Sequence, residues 1–257
     1  MNLPRLISFG KQQPPLDFGS TYLTSDFTLP SHTLTCLRSL KNHGVDDEVE
    51  QMFSMGEETM SLPLSEKMAF EQGDEGVSFG YKASGANAVD EFGNLDTVEF
   101  INVSQDDALA WPETVHRTYP RTVNERMDNT IVPFVKKSRA INVVLLKILE
   151  RKLGLPEGEL LKKHSDEEPS GSETRCIKSP PRAPGDKNKT AIGAHTDFGS
   201  LVSTTAPLFT YWPDNIQSFL HNRLGGLQVM VPGTAEWQYV KVIYANRLCT
   251  VVDRRII

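Results

Sequence analysis

The stretch Ala194-His195-Thr196-Asp197-Phe198-Gly199 carries the strongest chemical signal in this sequence. Residues i and i+2 of a strand point to the same face, so His195 and Asp197 are expected to converge on one point. An imidazole and a carboxylate, completed by a second histidine, form the facial triad that binds non-haem Fe(II). His195 and Asp197 are therefore the predicted metal ligands. The alternative is a surface histidine that is hydrogen-bonded to the neighbouring aspartate.

Short runs typical of strands surround this stretch. They cover residues 191–194, 201–204, 227–231 and 237–243. Pro232-Gly233 lies between the last two runs and predicts a hairpin turn. The polar segment 165–189, which contains four prolines, separates these strands from the first part of the chain.

Helical patterns dominate that first part. Residues 124–153 have a broad apolar face that ends at Gly154, and Pro133 is expected to kink this helix or to separate its first turn. Residues 97–103 alternate apolar and polar side chains, as in a half-buried strand. The sequence therefore predicts an α+β fold, with a helical N-terminal region at 1–165 and a sheet or barrel domain at 166–257.

The composition excludes several classes of protein. The chain has 257 residues, a net charge of −6 and 39% apolar residues, so an acidic surface argues against nucleic-acid binding. No stretch approaches the roughly 20 apolar residues of a membrane span, and no signal peptide is expected. Cys36, Cys176 and Cys249 form no C-x-x-C pair, which favours a reducing cytoplasmic location. We also expect a monomer.

Several motifs in a fixed order extend the signal beyond the H-x-D pair. They are Lys41-Asn42-His43-Gly44-Val45, Leu62-Pro63-Leu64-Ser65-Glu66-Lys67, Gly80-Tyr81, His195-Thr196-Asp197-Phe198-Gly199-Ser200-Leu201, Leu224-Gly225-Gly226-Leu227-Gln228-Val229, Pro232-Gly233-Thr234 and Trp237. With these motifs the chain resembles the iron(II)- and 2-oxoglutarate-dependent dioxygenases of the isopenicillin N synthase-like group, especially their fungal members. The resemblance runs from about residue 14 to residue 242.

The resemblance implies a double-stranded β-helix (jelly-roll) core with a helical N-terminal region packed on it. It implies Fe(II) held by His195 and Asp197, 2-oxoglutarate as cosubstrate, O₂ and a small organic substrate. The implied reaction is a hydroxylation, a desaturation or a ring closure. His43 is then a structural residue of the N-terminal region. The segment 73–93, with five glycines, is expected either to reach over the barrel mouth or to be an ordinary surface loop.

The chain also departs from the family pattern. The family has a second histidine ligand downstream of the aspartate, but only His221 follows Asp197, at a position that is not a ligand in the family. The R-x-S segment that holds 2-oxoglutarate is missing, and Ser179 stands where many members have a tyrosine. We therefore expect an incomplete jelly roll with little or no turnover. The alternative is a non-catalytic binding protein or an inactive truncated product of an oxygenase gene; a metal-dependent hydrolase is less favoured.

Two segments have no counterpart in the family pattern. They are the 18 residues 202–219 and the tail 242–257. Sequence typical of the family resumes at His221, so our hypothesis is that both segments are translated intron sequence or another gene-model error, the second ending at a premature stop.

Overall fold

A computed structural model describes residues 37–40, 43–73, 76, 78–180, 191–195, 201–204, 224–230, 237–241 and 248–252. All the described helices lie before residue 165, and five of the eight described strands lie after it, which is the arrangement expected for the predicted α+β class. Among the described residues, no helix has the length and apolar character that a membrane crossing requires.

The elements follow one another in this order along the chain. They are β1 (Leu37–Leu40), α1 (Asp46–Ser61), α2 (Leu64–Met68), β2 (Gly80–Lys82), β3 (Glu99–Ser104), α3 (Gln105–Ala110), α4 (Arg121–Asn124), α5 (Val132–Leu153), β4 (Glu173–Lys178), β5 (Leu201–Thr204), β6 (Leu224–Met230), β7 (Trp237–Lys241) and β8 (Leu248–Val252). A π-helical turn at Met127–Ile131 precedes α5, and a 3-10 turn at Leu161–His164 follows it.

The central element is an antiparallel sheet in the order β2-β3-β4. Ile101 pairs with Tyr81 of β2 and with Cys176 of β4, so β3 is the middle strand. Strand β4 follows the predicted domain boundary at 165/166 and pairs along its whole length with β3, which precedes it. The division into regions 1–165 and 166–257 stays a prediction.

The main hydrophobic core lies between this sheet and the helices. Its buried members come from α1, β2, β3, α3, the segment before α4, α4, the π-helical turn, α5 and β4. They are Met52, Met55, Met60, Tyr81, Ile101, Val103, Ala108, Tyr119, Val123, Met127, Ile131, Val135 and Cys176. Tyr119 also donates its hydroxyl to Asp107 (2.6 Å) and accepts the amide of Ser104 (2.9 Å). The polar groups buried here are thus paired, as low-dielectric surroundings require.

The half-buried pattern predicted for residues 97–103 is only partly correct. A strand does form, but Phe100 and Asn102 on its second face are buried as well. The guanidinium of Arg175 lies over the Phe100 ring at 4.2 Å and donates to Asn102 at 2.7 Å. The long side chain of Arg175 therefore covers the face of β3 that the alternating sequence pattern predicts to be exposed to solvent.

The long helical pattern at 124–153 is divided as Pro133 predicts. The π-helical turn ends at Ile131, and α5 starts with Pro133 in its first turn, where no hydrogen bond from its nitrogen is needed. Gly154 ends α5 in the left-handed conformation with φ of 67°.

Three strands predicted in the C-terminal part are present and one is not. Strands β5, β6 and β7 fall on the predicted runs, and β6 and β7 pair antiparallel, as a hairpin does. The turn at Pro232-Gly233 lies outside the described residues. The strand predicted at 191–194 is absent, because this segment is bent and joins the loop before β3 through one backbone hydrogen bond. The remaining sheet has the order β1-β8-β5.

Candidate functional site

His195, the first predicted ligand, is exposed at the end of the described segment 191–195. Its Nδ1 atom lies 2.8 Å from the carbonyl oxygen of Gly193. A carbonyl oxygen only accepts hydrogen bonds, so Nδ1 carries the proton and donates. The lone pair of the neutral ring is then on Nε2. A hydrogen bond of this kind orients metal-binding histidines in general, so His195 fits the role of a single imidazole ligand.

The described residues do not assemble a complete metal site. Among them, no three side chains of histidine, cysteine, aspartate or glutamate converge. Asp197, the second predicted ligand, lies outside the described residues, as does His221. The assignment of His195 and Asp197 as ligands therefore stays a prediction.

The segment that carries His195 is held by the loop between β2 and β3. The amide of Thr97 donates to the carbonyl of Ala191 at 3.0 Å. A Cβ atom added to Gly193 would lie 3.4 Å from both the Cα and the carbonyl oxygen of Val89. The loop between β2 and β3 thus lies beside the segment that carries the predicted ligand. Whether the segment 73–93 reaches over a barrel mouth or is an ordinary surface loop stays a prediction.

This loop, residues 83–98, has its own hydrogen-bonded structure. Val89 donates its amide to the carbonyl of Asn94 at 2.7 Å, and Asp96 donates its amide to the carbonyl of Asn87 at 2.8 Å. Ala88 and Leu95 face each other between these bonds in an antiparallel bridge. The loop is therefore a short hairpin whose first arm carries the contact with Gly193.

Asp90 closes the tip of the hairpin. Its carboxylate accepts the amides of Phe92 (3.0 Å) and Asn94 (3.1 Å) and the side-chain amide of Asn94 (2.7 Å). The hydrogen bond from the Asn94 side chain holds the pKa of Asp90 below its ordinary value. Gly93 has a φ of 77°, which favours glycine at this turn.

A buried ion pair closes the base of the hairpin. Lys82 is 4% exposed and Asp96 is 3% exposed, and the ammonium donates to the carboxylate. Lys82 also donates to the carbonyl of Val98 at 3.0 Å, and Asp96 accepts the amide of Gly85 at 2.8 Å. These extra hydrogen bonds matter, because two charges without them would pay a large desolvation penalty.

A second ion pair lies at the start of β3, on Glu99. Its carboxylate accepts from Lys67 and from the Tyr81 hydroxyl, both at 2.6 Å, and Lys178 lies at 3.6 Å. Burial alone would raise the pKa of Glu99, but the hydrogen bonds from Lys67 and Tyr81 and the two ammonium charges lower it below its usual value. Burial, followed by the bond to Glu99, raises the pKa of Tyr81.

His43 is buried at the start of α1, as expected for a structural histidine. Its Nδ1 atom accepts the amide of Val45 at 3.3 Å, and its Nε2 atom lies 3.6 Å from Asp46. These contacts fix the turn that leads into the helix. Asp46 itself is in the first turn of α1, and Val45 occupies the N-cap position.

Residues 37–125 match the family model described as non-haem dioxygenase in morphine synthesis N-terminal. The matched segment is about a third of the chain, and over these residues the chain is similar to the N-terminal region of non-haem dioxygenases. The matched segment contains β1, α1, the loop 83–98 and β3. The match supports the predicted resemblance, while the isopenicillin N synthase-like subgroup stays a prediction. A search of curated proteins found no match.

Solved structures of similar fold are oxygenases or proteins that bind the oxygenase cosubstrate. A full-length Neurospora crassa protein, solved in complex with alpha-KG, is 18% identical, with a TM-score of 0.60 over 85% of this chain and 63% of that one. A Caulobacter crescentus protein assigned to the 2OG-Fe(II) oxygenase family is 17% identical, with a TM-score of 0.58 over 84% and 64%. The Arabidopsis thaliana AtDAO1, a dioxygenase for auxin oxidation in complex with 2-oxoglutarate, is 16% identical, with a TM-score of 0.55 over 85% and 70%. This chain thus spans less than two thirds of the length of the Neurospora crassa protein.

Sequence reasoning missed Asp96 and treated Lys82 only as part of a loop. A signal was present, since Lys82 directly follows the motif Gly80-Tyr81 in a short strand that is buried at all three positions. A lysine in a buried strand requires an anionic partner nearby. Lys82 and Asp96 are 14 positions apart in the sequence, and this separation hid the pairing, because the hairpin that brings them together is not evident from the sequence.

Proposed function

We propose that this chain has the chemistry of a non-haem Fe(II)- and 2-oxoglutarate-dependent oxygenase that acts on a small organic substrate with O₂. The match of residues 37–125 to a non-haem dioxygenase family is the observation that carries the proposal. The likeness of fold to the Neurospora crassa protein and to AtDAO1, both solved as complexes with the cosubstrate, supports it. The proposed core is a jelly roll, and the proposed reaction is a hydroxylation, a desaturation or a ring closure.

His195 and Asp197 are the proposed ligands in this chain. The hydrogen bond from Nδ1 to the Gly193 carbonyl keeps the ring in one tautomer and one orientation, with Nε2 as the ligating atom. Asp197 would supply the carboxylate that completes a two-ligand set from one segment. Bound iron, together with 2-oxoglutarate, supplies the activation of O₂ that the side chains of this protein lack. A cytoplasmic location and a monomeric state are part of the proposal.

A non-catalytic binding protein is the second candidate. One observation favours it: within the part of the chain that the structure describes, no group of three histidine, cysteine, aspartate or glutamate side chains is placed to hold a metal ion. Ser179, which directly follows β4, also has a shorter hydroxyl than the tyrosine that the family resemblance leads one to expect. Such a protein would keep the fold and bind ligands without turnover.

Metal binding and turnover test the two candidates separately. The full chain is titrated anaerobically with Co(II), and His195→Ala and Asp197→Ala are each expected to weaken binding at least tenfold. His164→Ala, which removes an exposed histidine in the 3-10 turn, is the matched control and is expected to bind as the unmodified chain does. Equal binding by all four proteins would contradict the proposed ligands.

Succinate formation then decides between the two functions. The chain is incubated with Fe(II), 2-oxoglutarate and O₂, and succinate is measured against the His195→Ala variant. Succinate above this background supports the oxygenase. Metal binding that depends on His195 without any succinate supports the binding protein and agrees with the low turnover expected from the sequence.

A further inference from the structure

The buried pair Lys82–Asp96 lies far from His195 along the chain, yet a short series of contacts connects the two. The carboxylate of Asp96 accepts the amide of Gly85, and its own amide donates to the carbonyl of Asn87. Asp96 thus joins the two arms of the hairpin at its base. Lys82 ties the same carboxylate to β2 and to the carbonyl of Val98. The arms of the loop therefore keep a fixed separation as they leave the sheet.

The next contact joins the hairpin to the segment 191–195. Val89, in the first arm, lies against Gly193 so closely that an added Cβ would meet its backbone at 3.4 Å. Thr97, one residue after Asp96, donates its amide to Ala191 at 3.0 Å. The segment is thus held at two points, and both points belong to the loop that the ion pair closes.

The last contact reaches the imidazole. The carbonyl of Gly193 accepts the hydrogen bond from Nδ1 of His195 at 2.8 Å. The orientation of this carbonyl depends on the peptide of Gly193, which packs on Val89. A shift of the hairpin would therefore turn the carbonyl away from Nδ1 and release the ring from its tautomer.

We propose that the buried ion pair Lys82–Asp96 is a positioning device for His195, acting through the hairpin 83–98 and the carbonyl of Gly193. Lys82 and Asp96 are positioning residues in this proposal, since both are almost fully buried and act through the hairpin. The role of His195 as a metal ligand rests on the proposed function, whereas the positioning itself does not need a metal.

Lys67 offers a matched control for Lys82. It also forms a buried ion pair, with Glu99, and it also donates to a backbone carbonyl, that of Met60 at 3.0 Å. Its contacts join α1 and α2 to the start of β3 and do not reach the hairpin or residues 191–195. Lys67→Met therefore removes a similar interaction without the connection to His195.

The test reads the tautomer of His195 directly. The full, metal-free chain is labelled with ¹⁵N-histidine, and its imidazole nitrogens are observed by NMR at pH 8, with His195→Ala assigning the signals. The unmodified chain is expected to show mainly the Nδ1–H tautomer. Lys82→Met is expected to convert at least half of the population to the Nε2–H tautomer, which is preferred by histidine in water, while Lys67→Met leaves it unchanged.

A second variant covers the case in which Lys82→Met does not fold. Lys82→Met combined with Asp96→Ala leaves no unpaired charge in the core, so it avoids the main cost of the single change. The same shift of tautomer is expected. An unchanged tautomer in both variants, or an equal change in Lys67→Met, would overturn the proposal.

Co(II) titration of the same proteins links the inference to metal binding. The dissociation constant is expected to rise at least tenfold in the Lys82 variants and less than twofold in Lys67→Met. If the unmodified chain binds no Co(II) through His195, the proposed function fails. The NMR measurement of the His195 tautomer then still tests the positioning proposal, because it is made on the metal-free chain.

Discussion

The sheet β2-β3-β4 with its helices and the segment 191–195 differ in how their polar groups are placed. In and beside the sheet, the buried charges Lys82 and Asp96 and the half-buried Glu99 each have two or more hydrogen-bond partners. In the segment 191–195, His195 is exposed and is oriented by a backbone carbonyl. The first region therefore pairs its buried polar groups, whereas the second leaves the predicted ligand His195 exposed at the surface.

This difference teaches where a substitution should act. A change within the sheet is expected to lower the free energy of unfolding, because it leaves a buried group without its partner. A change at His195 is expected to affect metal binding while the fold persists. The four predictions below test this separation, beginning with the largest effect on stability.

Lys82→Met is expected to have the largest effect. It leaves the carboxylate of Asp96 buried without its charged partner, which costs about 3–5 kcal/mol. Lys67→Met should cost about half as much, because Glu99 keeps the Tyr81 hydroxyl and lies near Lys178. Urea denaturation of both variants gives the two values. Equal losses, or a larger loss for Lys67→Met, would contradict the importance we give to the hairpin base.

Gly80→Ala is the next strongest change. Gly80 has a φ of 111°, and an added Cβ would lie 2.3 Å from Nη1 of Arg117 and 2.5 Å from the carbonyl oxygen of Phe70. The combined strain and overlap should cost about 3 kcal/mol. Gly85→Ala is the matched control, since its φ of 81° is also positive but its nearest contact is 3.8 Å, to Leu95. Thermal denaturation should show a clearly smaller loss for Gly85→Ala.

The N-terminal half of the fold could be predicted from the sequence to a large extent. Helix α5 could be predicted from its apolar periodicity, with Pro133 near its start and Gly154 at its end. The strand at 99–104 could be predicted from the alternation of its side chains. Both signals act between residues that are close in sequence. The burial of Phe100 and Asn102 could not be predicted, because it depends on Arg175, which is more than seventy residues away. Periodicity reports which residues share a face and not what covers that face.

The candidate site was predicted only in part. The H-x-D pattern identifies His195 as a candidate ligand, because side chains two residues apart on an extended strand point to the same face. Its role as a ligand stays a prediction. The loop that holds His195 could be suspected from its glycines, but its hairpin depends on side-chain capping by Asp90 and on the distant pair Lys82–Asp96. Such contacts join residues that no short sequence window contains. The prediction of a strand at 191–194 was wrong, and the contact of this segment with Thr97 likewise joins residues that are far apart in the sequence.

Glu99 gives a pH-dependent test of the sheet. Its pKa in the folded chain is below its ordinary value, because the bonds from Lys67 and Tyr81 and the two ammonium charges outweigh the effect of burial. The unfolded chain therefore binds more protons in the window below the ordinary glutamate pKa of about 4.3. The contribution of Glu99 to the free energy of unfolding is fully present above this window. It is lost as the pH falls through the lower pKa that Glu99 has in the folded chain. Urea denaturation between pH 6 and pH 3 should show a flatter pH dependence for Glu99→Gln. An identical slope in both proteins would contradict the shift.

His195→Ala should have the smallest effect on stability, although it should have the largest effect on metal binding. His195 is exposed, and its described hydrogen bond to Gly193 spans only two residues. Exposed substitutions of this kind change the free energy of unfolding by about 0.5 kcal/mol or less. Differential scanning calorimetry of the metal-free chain measures this difference, with His164→Ala as the exposed control. A loss of more than about 2 kcal/mol would show that His195 belongs to the packed structure, and the contrast between the two regions would then fail at its central residue.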